Sequence, residues 1–217
     1  MISDKKDILE YVKQHSTQQD EVLTLLERKT NLYSTQPRML SGQIQGKFLE
    51  FIVDMLKPQR VAEIGTFTGY SAISIARNLP EGGHLETIDI NDELHHIAES
   101  AITQANLTES ITLHIGSALD VIPKLGGCFD LIFIDGDKRE YPQYYNMIMD
   151  GGYVKSGSYM LADNTLWDGK VVDNSAKNLK DNYTRGVLEF NKMVAEDKRV
   201  EVVMMPFRDG MSIIKVK

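Results

Sequence analysis

Apolar residues in the first 60 positions recur at helical spacing. Ile8, Leu9 and Val12 lie near one face, Val22, Leu23, Leu25 and Leu26 open a second helix, and Phe48, Leu49, Ile52, Val53 and Leu56 mark a third that Pro58 ends. Residues 31–38 between them read as loop. From residue 60 the pattern changes to short apolar runs separated by amphipathic stretches. Arg60–Ile64, His84–Ile88, Ile111–Ile115, Asp130–Ile134 and Tyr159–Ala162 read as strands. Tyr70–Asn78, Asp92–Ala105, Ala118–Lys124 and Tyr141–Asp150 read as the helices between them. Such alternation implies an α/β fold with a parallel sheet covered on both faces. After a helix at Asn182–Glu196 the alternation stops. Val200–Met205 and Met211–Val216 are joined only by Pro206–Gly210, which allows a hairpin and makes the last strand antiparallel.

The most informative junction follows the first strand, in Val61-Ala62-Glu63-Ile64-Gly65-Thr66-Phe67-Thr68-Gly69-Tyr70-Ser71. Strand, glycine turn and helix start make the nucleotide-binding corner of a doubly wound sheet. The simpler alternative is a strand-to-helix turn that needs glycine for positive φ. The glycines are spaced G-x-x-x-G, not the G-x-G-x-x-G of dinucleotide enzymes. Glu63 would repel a pyrophosphate and suits a cationic ligand such as the sulfonium of S-adenosylmethionine. A parallel nucleotide-binding sheet closed by an antiparallel strand is the methyltransferase variant of the doubly wound fold.

Size and charge narrow the class. The 217 residues suffice for a single domain, 1–217, with 1–58 as a helical cap and 59–217 as a Rossmann-like core. No apolar run is long enough to cross a membrane, and the start, Met1–Asp7, is too charged for a signal peptide. The single Cys128 allows no internal disulfide and reads as a small buried apolar residue; a cytoplasmic location fits. A net charge of −7 without basic blocks argues against nucleic acid and other polyanions. His15, His84, His95, His96 and His114 show no ligand spacing, and Met147, Met149, Met204 and Met205 read as core. P-loop and nucleophile-elbow motifs are absent.

Three strand ends carry chemistry. Asp89 lies about 20 residues past the glycine loop, where an acid binds ribose hydroxyls. The alternative is an N-cap of the following helix, which Asn91 could also supply. Gly116-Ser117-Ala118 ends the third strand, a usual but weakly specific place for an adenine contact. The buried run Phe129–Ile134 emits Asp135, Asp137 and Lys138, and the next strand ends in Asp163-Asn164. Ligands of open α/β sheets sit beyond such carboxyl ends. Asp135, Asp163 and Asn164 offer hard oxygens that suit Mg²⁺, Mn²⁺ or Ca²⁺ and not Zn²⁺. Either pair alone reads more simply as turn formers. Both together, on neighbouring strand ends beside a cofactor loop, favour a metal.

With these motifs in place the chain resembles the cation-dependent O-methyltransferases, the family of catechol and caffeoyl-CoA O-methyltransferases and small bacterial members. The resemblance runs from about residue 38 to residue 217 through Glu63–Ser71, Asp89-Ile90-Asn91, Phe133–Lys138 and Asp163-Asn164-Thr165-Leu166-Trp167. It implies a Rossmann-like methyltransferase fold with a mostly parallel seven-stranded sheet and extra N-terminal helices. It implies that Asp135, Asp163 and Asn164 hold the cation. It places Ser41, Glu63, Gly65, Thr66, Ser71, Asp89, Ala118 and Asp137 around S-adenosylmethionine. Lys138 matches a general base, Asp135 is catalytic through the metal, and Trp167 matches a substrate wall. Asp168 stands where plant enzymes carry a substrate-binding asparagine, within a variable loop over residues 168–180. Relatives are commonly homodimers.

The implied reaction is in-line attack of a phenolate on the sulfonium methyl. A phenol of pKa about 10 is about 0.1% ionised at neutral pH, a handicap of roughly 4 kcal/mol that a chelating cation offsets. Lys138 either accepts the proton or stays charged and stabilises the phenolate. Vicinal hydroxyls on a planar ring suit chelation, so catechol-type acceptors are expected over isolated phenols. A nucleic-acid or protein acceptor would call for an Asp/Asn-Pro-Pro-Tyr-type motif, where Ile134-Asp135-Gly136-Asp137 stands instead. A non-catalytic S-adenosylmethionine-binding protein would have no need of the metal set.

Overall fold

A computed structural model describes residues 6–173, 175 and 180–217. Residues 1–5 of the charged start, and Asn174 and 176–179 of the variable loop over residues 168–180, lie outside the described residues. In chain order the helices and strands are α1 (Lys6–Gln14), α2 (Glu21–Tyr33), α3 (Gly42–Leu56), β1 (Arg60–Ile64), α4 (Tyr70–Ala76), β2 (His84–Asp89), α5 (His95–Gln104) and β3 (Ile111–Ile115). They continue with α6 (Ala118–Leu125), β4 (Phe129–Ile134), α7 (Tyr141–Asp150), β5 (Val154–Asp163), α8 (Asn182–Glu196), β6 (Val200–Met205) and β7 (Met211–Val216). The strand order is β3-β2-β1-β4-β5-β7-β6. Parallel pairs join β1 to β4, β2 to β3 and β4 to β5, while β7 runs antiparallel to β5 and β6. This is the doubly wound sheet with a reversed last strand that the alternation and the short hairpin predict. Among the described residues no helix is long and apolar enough to cross a membrane.

The chain forms two compact units. One comprises Thr66–Ile115 and the residues up to Gln59. Asp20 caps α2 by accepting from the Leu23 N–H at 3.0 Å, and the helix buries Leu23, Leu26 and Thr30. Lys57 ends α3 in the left-handed region at φ 49°, its N–H closing on the Val53 carbonyl, and Pro58 bars continuation. Helix α4 is buried along its whole length. It approaches α3 so closely that a Cβ at Gly46 would stand 2.7 Å from Tyr70 Cε1, so only glycine fits there. α4 stops at Ala76 because 3₁₀-type bonds, Asn78 N–H to Ile75 O and Leu79 N–H to Ala76 O, tighten its end. α5 starts at His95, later than its pattern predicts, because Asp92 closes a turn with the His95 N–H.

The other unit comprises Arg60–Gly65 and Gly116–Lys217. Val61, Ala62 and Ile64 of β1, five of the six residues of β4, and Met160, Leu161 and Ala162 of β5 are buried. Val187 and Phe190 of α8 pack with Tyr141, Tyr145 and Ile148 of α7 to close one face. Each such side chain contributes roughly 1.5–3 kcal/mol of burial. β5 is longer than its sequence suggests. Its first half, Lys155-Ser156-Gly157, is exposed and lacks alternation, and the register with β4 shifts between Phe129 and Leu131. Ser158 bridges the irregularity, donating to the Phe129 carbonyl at 2.7 Å and accepting from the Lys155 N–H.

Some composition-based expectations need correcting. Cys128 is half-exposed, its thiol 3.3 Å from the Gly152 carbonyl, and is not a core residue. Met204 is exposed and Met205 half-buried because β6 ends the sheet, and Met147 and Met149 of α7 are half-buried; Met160 and Met211 are buried in the core of this unit.

Candidate active site

In the first unit the glycine loop is tied to the end of β2. The Phe67 N–H donates to Asp89 Oδ2 at 2.7 Å, with Phe67 at φ 51°, and the Asn91 N–H donates to Asp89 Oδ1 at 2.9 Å. Thr66 Oγ1 meets Thr87 Oγ1 at 2.6 Å, and Gly69, at φ 88°, starts α4. Thr30 Oγ1 braces the loop from α2 through Thr68 Oγ1 at 2.9 Å. Asp89 therefore does not cap α5, and neither does Asn91, which accepts from the Glu93 N–H; Leu94 stands at the cap without a side-chain bond. A carboxylate has about four lone-pair sites, so Asp89 keeps capacity for ribose hydroxyls. Ser71 is buried in the first turn of α4. Ser41 is half-buried ahead of α3 and its side chain does not cap that helix.

In the second unit Glu63 is completely buried at the end of β1. Gly65, at φ 105°, lies against the loop after β4: a Cβ there would be 2.4 Å from the Asp135 carbonyl oxygen. The Asp135 N–H donates to the Ile64 carbonyl at 2.8 Å. Ala118 opens α6 behind Ser117, whose Oγ accepts from the Leu119 N–H.

Asp135 and Asp163 stand at neighbouring strand ends, because the β4–β5 register pairs Ile134 with Ala162. Asp163 is 4% exposed, and its Oδ1 accepts the N–H of Asn164, which adopts φ 58°. Lys138 is buried; its Nζ donates to Asp135 Oδ1 at 2.8 Å and to the Gly136 carbonyl at 3.3 Å. Burial pushes the Asp135 carboxyl up to about 6, against the pull of Lys138 and with a further push from the charge of Asp163. Asp137 caps the short helix Lys138–Glu140, accepting from the Arg139 N–H, and is gripped by the Arg139 guanidinium, which lowers its pKa. Its carboxylate thus already has a cationic partner.

The donor chemistry fits a hard divalent cation. Two carboxylates and an amide oxygen lie at adjoining strand ends with one ammonium beside them, leaving net negative charge for a dication. Among the described residues no group of three His, Cys, Asp or Glu side chains is arranged to hold a metal, so the candidate set rests on Asn164 as its third member.

Beyond β5 the chain turns tightly. Trp167, Asp168 and Gly169 all have positive φ, at 48°, 52° and 74°. Asp209 holds this turn: its Oδ1 accepts from the Asp168 N–H at 2.6 Å and its carbonyl from the Leu166 N–H. Asp168 itself is exposed. The Trp167 ring stacks on Tyr183 at 6.1 Å and 16°, with Lys170 Nζ over Trp167 at 5.2 Å and Arg139 over Tyr183 at 4.9 Å. Tyr183, Arg139 and Tyr141 escaped the sequence reading. Tyrosines on amphipathic helices look like core, and the pairing of Trp167 with Tyr183 spans a segment without regular pattern.

Comparison with known proteins places the fold and motifs together. A family model described as O-methyltransferase matches residues 13–217. The chain belongs to this O-methyltransferase family. The match begins earlier than the resemblance from residue 38, so the family pattern includes α2. Caffeoyl-CoA O-methyltransferase 2 of Petunia hybrida is 35% identical over 186 residues, covering 82% of this chain and 76% of the relative. The Bacillus cereus O-methyltransferase solved in complex with SAH superposes with a TM-score of 0.90 at 29% identity, covering 100% of both chains. The O-methyltransferase TomG of Streptomyces achromogenes, involved in tomaymycin synthesis and solved with SAM, gives 0.89 at 27% identity, covering 99% and 98%. This O-methyltransferase is thus of the S-adenosylmethionine-dependent, caffeoyl-CoA type that its motifs resemble.

Proposed function

We propose that the chain transfers the methyl group of S-adenosylmethionine to one hydroxyl of a catechol-type small molecule, with a divalent cation bound by Asp135, Asp163 and Asn164. The observation that carries this reading is the pair of carboxylates at adjoining strand ends, Asp163 buried and Asp135 half-buried, with Lys138 bound to Asp135. S-adenosylmethionine supplies the electrophilic methyl. Mg²⁺, Mn²⁺ or Ca²⁺ supplies Lewis acidity toward the acceptor hydroxyl.

The chain's own residues bind and orient. Ser41, Glu63, Gly65, Thr66, Ser71, Asp89, Ala118 and Asp137 are the proposed cofactor residues; SAH and SAM in the Bacillus cereus and Streptomyces achromogenes relatives support a cofactor of this kind. Lys138 Nζ donates to two oxygens and faces the Tyr141 ring at 4.9 Å, which supports a charge-stabilising role over proton abstraction. Trp167, stacked on Tyr183, and Asp168 form the acceptor side. The exposed carboxylate of Asp168 disfavours a polyanionic coenzyme A ester, the acceptor class named by the Petunia relative. We also infer a homodimer through the N-terminal helices, where Leu9, Tyr11, Leu25, Leu32, Phe51 and Met55 are exposed.

Titration of kcat/KM for a catechol, the matched monophenol and a caffeoyl thioester, with and without chelator, tests this. Catechol turnover should vanish on chelation and return with Mg²⁺ or Mn²⁺. Equal turnover of the monophenol would refute substrate chelation, and a preferred thioester would refute the reading of Asp168. Light scattering of a monomer at micromolar concentration would refute the dimer.

A further inference from the structure

Tyr141 opens α7 and is completely buried. Its hydroxyl lies 3.0 Å from the carbonyl oxygen of Ile134 and 3.0 Å from that of Asp163. Ile134 ends β4 immediately before Asp135, and Asp163 ends β5. One hydroxyl therefore bridges two neighbouring backbones where the two candidate metal carboxylates leave them. The strand ladder does not reach this point. The β4–β5 register ends at Ile134 with Ala162, and Asp163 pairs on its other side with Met211 of β7. Strand ends open more readily than ladder interiors. The Tyr141 ring is itself held, edge-on to Phe190 at 5.3 Å, with Lys138 Nζ 4.9 Å from its centre. Pro142, in the first turn of α7, stiffens the segment that delivers it.

We propose that Tyr141 is a positioning residue: its hydroxyl clamps the Ile134 and Asp163 carbonyls and so sets the spacing of Asp135 and Asp163 for a divalent cation. The inference rests on the metal reading above and deepens it. Groups behind a metal's direct ligands set ligand orientation, and their loss typically weakens metal affinity by about 10–100-fold.

Mn²⁺ binding to the protein without cofactor or acceptor is measured by electron paramagnetic resonance for wild type, Tyr141→Phe, Tyr144→Phe and Asp163→Asn. Tyr141→Phe keeps the ring and removes only the clamp. Its Mn²⁺ affinity should fall by about 10-fold or more, and kcat should fall with it. Its dissociation constant for S-adenosylhomocysteine should not change. Tyr144→Phe removes a hydroxyl from the same helix that is bonded to Glu140, and should bind Mn²⁺ as wild type does. A Tyr141→Phe protein that melts lower but binds Mn²⁺ normally would overturn the clamp while Asp163→Asn, losing Mn²⁺, upheld the metal reading. A wild type that binds no Mn²⁺ would overturn both. If Tyr141→Phe does not fold, wild type labelled with 3-fluorotyrosine gives the second measurement. A buried tyrosine fluorine should shift on adding Mg²⁺, and the absence of any such response would overturn the clamp.

Discussion

At the end of β2, Asp89 receives two backbone N–H groups from its own loops, whereas Asp135 and Asp163 stand at the neighbouring ends of β4 and β5, Asp163 buried and Asp135 half-buried, each charge felt by the other. Asp89 satisfies the fold as it stands: its carboxylate holds the glycine loop shut, and a ligand would add to bonds already made. Asp135 is desolvated and repelled, with Lys138 offsetting part of that. Folding alone gives no reason to gather these charges, and an apolar pair would pack with less penalty. The contrast separates a carboxylate that organises a binding loop from carboxylates kept for what they will bind.

The largest effect expected from breaking this contrast is at Asp163. Asp163→Ala should lower metal-supported kcat/KM by at least about 100-fold and make the remaining activity indifferent to chelator. S-adenosylhomocysteine binding, followed by calorimetry, should be unchanged. Activity that survives both chelation and the substitution would sink the metal reading. Next comes Lys138. Lys138→Met should lower kcat by about 10²-fold or more, the scale of losing a positioned acid–base or charged group. Lys138→Arg sharpens the question, since arginine cannot accept a proton at ordinary pH. Substantial recovery with arginine identifies charge stabilisation, and none identifies the base.

Asp89→Ala should act on the other region. It should weaken S-adenosylhomocysteine binding by about 1–3 kcal/mol and lower the melting temperature, because the Phe67 and Asn91 N–H groups lose their acceptor. Mn²⁺ affinity should not move; a parallel loss would erase the distinction between the regions. The smallest effect is expected at Asp197, which belongs to neither. Hydrogen bonds from Arg199 and Tyr145 hold its carboxyl down at about 2, from 3.8. A depressed carboxylate contributes stability that is complete above the unfolded value and is lost as pH falls toward the folded one. Asp197→Asn should therefore flatten acid destabilisation between about pH 4 and pH 2 and lower stability by a pH-independent amount above that window. An unaltered acid limb in thermal melts would refute this.

Much of this was legible from the residues because apolar runs and their polar endings report directly on a parallel sheet. β1, β3, α7, α8, β6 and β7 fall where the pattern puts them. Asp135, Asp163 and Asn164 stand out because polar residues follow runs too apolar to be anything but buried strands. The beginning of β5 did not stand out, since exposed Lys155-Ser156-Gly157 has neither alternation nor branching. The role of Tyr141 was hidden for a different reason. Its ring satisfies every rule for a core residue, and only coordinates reveal that its hydroxyl meets two carbonyls from distant segments. The engagement of Asp137 by Arg139, two residues on, likewise depends on a turn whose geometry composition does not specify.

The placement of β7 has a consequence in time. It is the seventh strand to be synthesised, yet it lies between β5 and β6. While residues 154–163 and 200–205 are being synthesised, the strand that joins them does not yet exist. Asp163, whose partner in the ladder is Met211, leaves the ribosome with one side of its strand unpaired. Pairings across such sequence distances close late and slowly. Until they close, a nascent chain could shape its glycine loop, a largely local structure, while the acidic pair beyond β4 and β5 was still being framed. The glycine loop and the acidic pair would then take shape at different moments in the life of each new molecule.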